Sequence, residues 1–397
     1  MKLEPIVISL LDTDFYKFNM HQVVFHKYQD LTGEYHFKCR NDNVTFTDEM
    51  IEEINEQVDH LCTLGFTKDE LNYLHSIKFL KEDYLRFLKK FKLHREYVNI
   101  HKNEFGELVC IVNGPCYLAM PFEIYLLEII NETYFRFKYD YNELRKEAEL
   151  RLNEKIKKMN EGVYAFRFAE FGCRRRLSRE WQDFMVKEFV TKTNNCIGTS
   201  NVYLAMKYNV KPIGTFAHEF VQMYQGIEGI DLVHTNYYAL KDWYEEYHGE
   251  NGTALTDTLT TDLFLLDFNY EMASLYNGVR HDSGDPYAWG EQLIKHYKKL
   301  NIDPNTKTLL FSDSLNFDKA QKLFDYFKSR INVSFGIGTY CSNDTDKSTL
   351  NIVIKLQKIN DKPVAKLSDV KGKTMCLDDN YLQKLEDEVE YRLKEGK

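Results

Sequence analysis

Between residues 166 and 339, short apolar runs end again and again in polar or glycine-containing turns, with helical stretches between them. The runs cover 166–172, 196–201, 211–218, 254–257, 278–285, 308–314 and 333–339, and 210–216 reads as strand up to His218. Apolar residues recur at helical spacing over 179–191, 261–277, 288–300 and 317–330. About seven βα units in a row imply a closed or nearly closed parallel barrel. An open dinucleotide-binding sheet is disfavoured, because no GxGxxG opens a helix. In a parallel barrel, the turns after the strands carry the chemistry.

The flanking regions have another rhythm. A helix is expected over 15–28 with Asp14 as its N-cap, then a strand over 33–40 and two or three amphipathic helices over 48–65 and 67–91. Residues 98–101 and 108–112 read as a hairpin, 117–139 as an apolar helix and 142–161 as a charged one. From 350 the tail holds another hairpin, then a charged helix starting at Asp379. The expected organisation is an N-terminal α/β domain over 1–131, completed by 350–397, and a barrel over 132–349.

Composition narrows the function. With 43% apolar residues in 397, the chain can bury a sizeable core. Its 27 Tyr and 27 Phe predict aromatic core faces and stacking surfaces for flat ligands. A formal charge of −9 argues against nucleic-acid or anionic-membrane partners, so a phosphate-bearing ligand must meet a local basic cluster. Arg174, Arg175, Arg176 and Arg179 form one. The eight cysteines show no CxxC pair and no zinc-finger spacing, which fits reduced thiols. The opening apolar run, 6–11, is too short for a signal-peptide core, and no run of 18 apolar residues exists elsewhere. A soluble, cytoplasmic protein is expected.

Several motifs fall on the strand-end turns, and each has a plain structural alternative. FAEFGCRRRLS, 168–178, offers Phe171 to stack on a planar ring and guanidinium groups for phosphate or carboxylate. Consecutive arginines point in different directions, so one or two at most reach a ligand. GTSN, 198–201, supplies small hydrogen-bonding groups, though capping by Thr199 or Ser200 would account for it. GTFAHE offers the imidazole of His218, and a lone histidine is more often structural. ALTDTLTTD brings Asp257 and Asp262; GVRHDSGDP brings Arg280, Asp282 and Asp285. Carboxylates beside an arginine bind ribose hydroxyls or hydrated Mg²⁺, while Asp285-Pro286 reads as a turn. FSDS, 311–314, and FGIGTYCSND, 335–344, are small-residue turns whose N–H groups cradle phosphate. Each motif is weak alone; their succession on neighbouring strand ends is not.

Taken together, TDFYKFNM, NGPCY, EFGCRRRLS, GTSNVYLA, GTFAHE, LTDTLTTD, VRHDSGDP, LLFSDSLNF, FGIGT and VAKLSD resemble the nicotinate phosphoribosyltransferase family of NAD salvage. They run in family order from 13 to 369. The resemblance implies a type II phosphoribosyltransferase fold, an irregular α/β barrel joined to a smaller α/β domain built from both chain ends. It implies an ATP-coupled enzyme, formally a C–N ligase, using nicotinate, phosphoribosyl diphosphate and ATP with Mg²⁺, as a monomer or a homodimer. His218 matches the histidine phosphorylated by ATP. Tyr16 and Phe171 match the aromatics that sandwich the pyridine. Arg174, Arg280, Asp257 and Asp282 match positions around phosphoribosyl diphosphate and nicotinate, Gly338 and Thr339 the 5′-phosphate site. Thr199 and Ser200 fall with the substrate-binding turn; the metal ligands stay open.

Two departures from the family pattern are instructive. Relatives that use nicotinamide carry Asp at the position of Ser200; a carboxylate there accepts from an amide but repels nicotinate, so Ser200 favours the acid. Cys173 stands where Thr or Tyr is commoner, with Phe171 and Arg174 kept. The rival readings are a related enzyme for nicotinamide or quinolinate, and a silent, ligand-sensing member of the fold. The second is opposed by the presence of His218, Asp257, Arg280 and Asp282.

Overall fold

The structure, a computed structural model, describes residues 4–42, 44–370 and 373–396. By packing, the chain forms two compact units. The first comprises Met1–Asp30, Glu34–Gly214 and Ile337–Lys355; the second comprises Leu31–Gly33, Thr215–Gly336 and Leu356–Lys397. The class is α/β, with parallel strands alternating with helices as the βα rhythm predicts.

The first unit holds most of β1 (Thr32–Cys39), with β2 (Val98–Lys102) and β3 (Leu108–Pro115) in the order β1-β3-β2. The expected hairpin is β2–β3, running antiparallel from Val98 opposite Val112 to Lys102 opposite Leu108. Its parallel strands are β4 (Phe168–Glu170), β5 (Cys196–Thr199) and β6 (Lys211–Pro212), in the order β6-β5-β4. All three residues of β4 are buried, as expected of a strand covered on both faces.

The apolar helix expected over 117–139 is broken into Cys116–Ala119 and Phe122–Lys138. Pro121 stands at the break, a place where a missing N–H and a φ near −65° suit a helix start. Every residue from Phe122 to Phe135 is buried, which makes this a core helix rather than an amphipathic surface one. It carries Glu128, Asn131 and Glu132 inward, and these have consequences for the site.

The second unit holds β7 (Thr253–Leu255), β8 (Gly278–His281), β9 (Thr308–Phe311) and nearly all of β10 (Asn332–Ile337), parallel in the order β10-β9-β8-β7. β11 (Ile352–Ile359) runs into it and turns back on β12 (Lys362–Pro363), the expected tail hairpin. The helical stretch at 261–277 is two helices, Thr261–Asp267 and Tyr270–Leu275, the second capped by the Asn269 side chain. DSGDP does more than turn: Asp285 accepts from the Ala288 N–H at 2.7 Å, and Pro286 opens the helix Pro286–Lys299.

The two units divide the chain differently from the expected 1–131 plus 350–397 and 132–349. Residue 131 lies inside the continuous helix Phe122–Lys138. The tail is divided: residues 350–355 fall in the first unit, as the expected completion has it, whereas from 356 it packs within the second, where Ala365, Leu367, Leu385 and Val389 share one apolar cluster with Val233, Leu259 and Leu263. Burying a side chain such as Leu385 there stabilises by about 1.5–3 kcal/mol. Among the described residues, no helix is long and apolar enough to cross a membrane.

Candidate active site

Each unit gathers part of the motif set into a polar cluster. In the first, the turn after β5 is organised by Asn201, whose side chain accepts from the Leu204 N–H at 3.0 Å and caps the helix Val202–Tyr208. Neither Thr199 nor Ser200 caps that helix. The Thr199 hydroxyl donates to Glu170 at 2.6 Å and accepts from the Asn201 N–H. Ser200 Oγ lies 2.5 Å from Asp14 Oδ1, and the Ser200 carbonyl accepts from the Phe15 N–H at 2.7 Å. Asp14 stands at the expected N-cap position of the helix Phe15–Lys27, yet its side chain makes no capping bond, because Ser200 holds it.

Burial dominates the electrostatics here. It raises the Asp14 carboxyl, with Ser200 and Arg174 opposing. It pushes Glu170 up to about 7 against bonds from Thr199, the Gly172 N–H and Gln182. Cys173 lies in the same cluster, its sulfur 3.9 Å from Ser200 Oγ.

Tyr16 is half-buried in the first turn of its helix. The chain passes so close that a Cβ on Gly214 would sit 2.5 Å from the Tyr16 nitrogen, while the Gly214 carbonyl accepts from Asn19 at 2.8 Å. Phe171 is also half-buried, and its N–H donates to the Ile337 carbonyl at 2.9 Å. A Cβ on Gly338 would meet the Phe171 carbonyl at 2.9 Å, so Phe171, Gly338 and Thr339 sit on touching backbone. The N–H groups of Cys341 and Ser342 turn onto the Gly338 carbonyl.

The arginine run divides as its directions require. Arg174 is half-buried, and its charge acts on Asp14 and Glu123. Arg175 donates to Asn351 and the Ile352 carbonyl; burial, then Arg174 and Arg40, lower it to about 9. Arg176 is 1% exposed and lies 2.6 Å from Asp12, 3.4 Å from Glu128 and 3.8 Å from Glu132. Its charge is committed to three buried carboxylates, which removes it from the expected phosphate-binding cluster. Asp12 also accepts from Asn201 at 2.7 Å, so this network supports the Thr199–Asn201 turn.

In the second unit, His218 opens the short helix His218–Gln222 and is 4% exposed. The strand expected over 210–216 shrinks to β6, since Pro212 has no N–H to extend a ladder. His218 Nε2 lies 2.8 Å from Asp257 Oδ1 and 3.6 Å from Asp282 Oδ2. An ionised carboxylate only accepts, so Nε2 carries the proton and Nδ1 the lone pair.

Asp257, 1% exposed, follows β7. Its Oδ2 accepts from Ser283 at 2.5 Å and Ser368 at 3.4 Å, with Lys366 Nζ 3.2 Å away. Burial lowers His218 to about 4, Lys366 adds to that, and Asp257 opposes it. Burial pushes the Asp257 carboxyl up, but His218 and Lys366 outweigh it and hold it well below the usual range.

Asp282, after β8, has a side chain 30% exposed and accepts from Ser312 at 3.2 Å. Burial raises its carboxyl, but Arg280 and His218 outweigh that and lower it. Arg280 is half-buried, and its Nε has no hydrogen-bond partner among the described residues. Asp262 stands outside this group, exposed and bonded to Gln292.

Ligand atoms of His218, Asp257 and Asp282 lie within 4.8 Å of one another. As a mixed nitrogen and oxygen set it suits Mg²⁺ poorly, since Asp257 is already taken by His218, Lys366 and Ser283. Of the three, the partly exposed Asp282 is the carboxylate whose chemistry would fit such an ion. Sequence reasoning passed over Lys366, Ser283, Ser368 and Glu170 as individuals, although VAKLSD, VRHDSGDP and EFGCRRRLS contain them.

The family model described as the nicotinate phosphoribosyltransferase (NAPRTase) N-terminal domain matches residues 11–131, and that of the NAPRTase family matches 166–393. Curated proteins named nicotinate phosphoribosyltransferase from Acinetobacter baumannii and Chromobacterium violaceum are each 46% identical, with 96% of this chain and 96% of the relative covered. The crystal structure of nicotinate phosphoribosyltransferase from Porphyromonas gingivalis superposes with a TM-score of 0.90 at 33% identity, covering 97% of this chain and 100% of that one. A putative nicotinate phosphoribosyltransferase from Saccharomyces cerevisiae gives 0.88 at 34% identity, over 98% and 100%.

Proposed function

Because this chain belongs to the nicotinate phosphoribosyltransferase family, we propose that it makes nicotinate mononucleotide and diphosphate from nicotinate and 5-phosphoribosyl 1-diphosphate. ATP is hydrolysed alongside, through a phosphohistidine at His218. The observation that carries the coupled reading is the buried 2.8 Å bond between His218 Nε2 and Asp257. It leaves Nδ1, which makes no hydrogen bond among the described residues, as the nucleophile.

The pyridine nitrogen attacks the anomeric carbon as diphosphate leaves, through a transition state with positive charge on the sugar. No protein nucleophile is needed; positioning and exclusion of water are. Tyr16 and Phe171 stack on the pyridine, and Ser200 with Thr199 and Arg174 faces its carboxylate side. Gly338 and Thr339 hold the 5′-phosphate, while Arg280 holds the diphosphate. Mg²⁺, when bound, screens the diphosphate charge, and Asp282 would hold it.

ATP adds no atom to the nucleotide. The Nδ1 lone pair attacks the γ-phosphorus, the bond to the bridging oxygen breaks and ADP leaves. The ring keeps its Nε2–H and becomes cationic beside Asp257. Water later attacks the phosphorus, the N–P bond breaks and phosphate departs. The stored free energy tightens substrate binding in between.

The enzyme works in the cytoplasm on small molecules; its eight free thiols support that reading. Turnover assays with nicotinate, nicotinamide and quinolinate, each with phosphoribosyl diphosphate and with or without ATP, test the proposal. Nicotinate should react far faster than the others, and ATP should stimulate it. Preference for another pyridine would contradict the substrate assignment.

A further inference from the structure

Lys366 lies on the tail that returns past Asp257, and its side chain is 7% exposed with Nζ 3.2 Å from Asp257 Oδ2. The backbone around it is fixed from several directions. Both backbone groups of Ala365 bond the Gln225 side chain at 2.8 Å. Lys366 pairs with Met375 through 3.2 and 3.1 Å bonds, and the Leu367 N–H donates to the Thr258 carbonyl at 2.9 Å. Two residues on, Ser368 Oγ lies 3.0 Å from Ser283 Oγ. Leu367 anchors the segment in the apolar cluster. So many bonds are not needed to lay a lysine on a surface.

They divide the Asp257 carboxylate between two tasks. Lys366, Ser283 and Ser368 converge on Oδ2, while Oδ1 faces His218 Nε2. A carboxylate held through Oδ2 cannot rotate to offer both oxygens to its other neighbours. The imidazole therefore meets one acceptor at one angle, which fixes both the ring plane and the tautomer. We propose that Lys366 is a positioning residue for phosphoryl acceptance: by pinning Asp257 it presents Nδ1 of His218 to ATP. It acts through Asp257 and touches no reacting atom.

The inference rests on the phosphohistidine reading, and its test separates the two. Full-length wild type, Lys366→Met, Lys366→Arg, Asp257→Asn and the double variant Lys366→Met/Asp257→Asn are labelled with γ-³²P ATP, with folding followed by circular dichroism. Folded Lys366→Met should label at least about tenfold more slowly, through the rate constant and with little change in KM for ATP. Lys366→Arg should restore part of the rate, because it keeps a cation for Oδ2. In the Asp257→Asn background, Lys366→Met should cost nearly nothing more, since coupled residues are not additive. Wild-type labelling by folded Lys366→Met, or full additivity in the double variant, overturns the inference alone. Absence of label on the wild type overturns the phosphohistidine reading and this inference with it.

Discussion

Ser200 Oγ sits 2.5 Å from Asp14 Oδ1, so the hydroxyl proposed to separate acid from amide users already belongs to a buried carboxylate. Ser200→Asp would set two carboxylates in contact. The kcat/KM ratio of nicotinate to nicotinamide should fall at least about tenfold, equivalent to about 1.4 kcal/mol. The melting temperature should drop too, since like charges in a buried place disfavour ionisation of both. An unchanged substrate ratio would contradict the role given to Ser200.

Tyr16→Ala and Phe171→Ala should each raise the nicotinate KM about tenfold, with a smaller effect on kcat, because ring stacking contributes about 1 kcal/mol beyond buried area. Both rings are half-buried rather than sealed in a core. Steady-state kinetics over a nicotinate series decides the matter. A KM unchanged in either variant would remove that ring from the pyridine site.

Arg176→Met tests the other fate of an arginine in the same motif. Burial raises Glu128 and Glu132 with Arg176 opposing, so removing this cation strips Asp12 of its two-pronged partner and the two glutamates of the group that offsets their burial, a loss of about 3–5 kcal/mol. Urea denaturation should show the loss as a lower midpoint. A shift below about 1 kcal/mol would contradict the structural role given to Arg176.

The contrast between these arginines shows where sequence reasoning reached and where it stopped. The βα rhythm is a local pattern of apolar runs and turns, so β4 to β10 were legible from their own residues. Helix breaks at Pro121 and Asn269 are single-residue events inside longer apolar stretches, and periodicity averages over them. Which arginine faces ligand depends on what the helix Phe122–Lys138 brings in from elsewhere, namely Glu128 and Glu132. Asp14 reads locally as an N-cap; a residue 186 positions away claims it instead. His218, Asp257 and Asp282 come together as the motif order implies, but Lys366 had no local signal, because a lone lysine in an irregular apolar tail segment, paired only through one isolated bridge to Met375, matches no pattern.

The lowered His218 makes a pH prediction with a definite sign. Folded protein holds fewer protons on this residue than unfolded protein between pH about 4 and the ordinary 6.5. Its contribution to stability is therefore full above 6.5 and lost as the pH falls toward about 4. The neutral ring that the proposed phosphoryl acceptance needs persists over the same interval. Labelling by ATP should stay level from pH 8 to about 5.5, where an ordinary imidazole would already be mostly protonated. A decline centred near 6.5 would contradict the buried, neutral His218.

The most direct test is to give γ-labelled ATP to the wild type and to His218→Asn, then read the label after acid and after base. The account predicts acid-labile, base-stable label on the wild type and none on the variant. The variant should stay folded and retain a slow transfer that ATP does not stimulate, because the displacement at the sugar needs no imidazole. Label persisting on His218→Asn would place the phosphoryl group elsewhere and contradict the account.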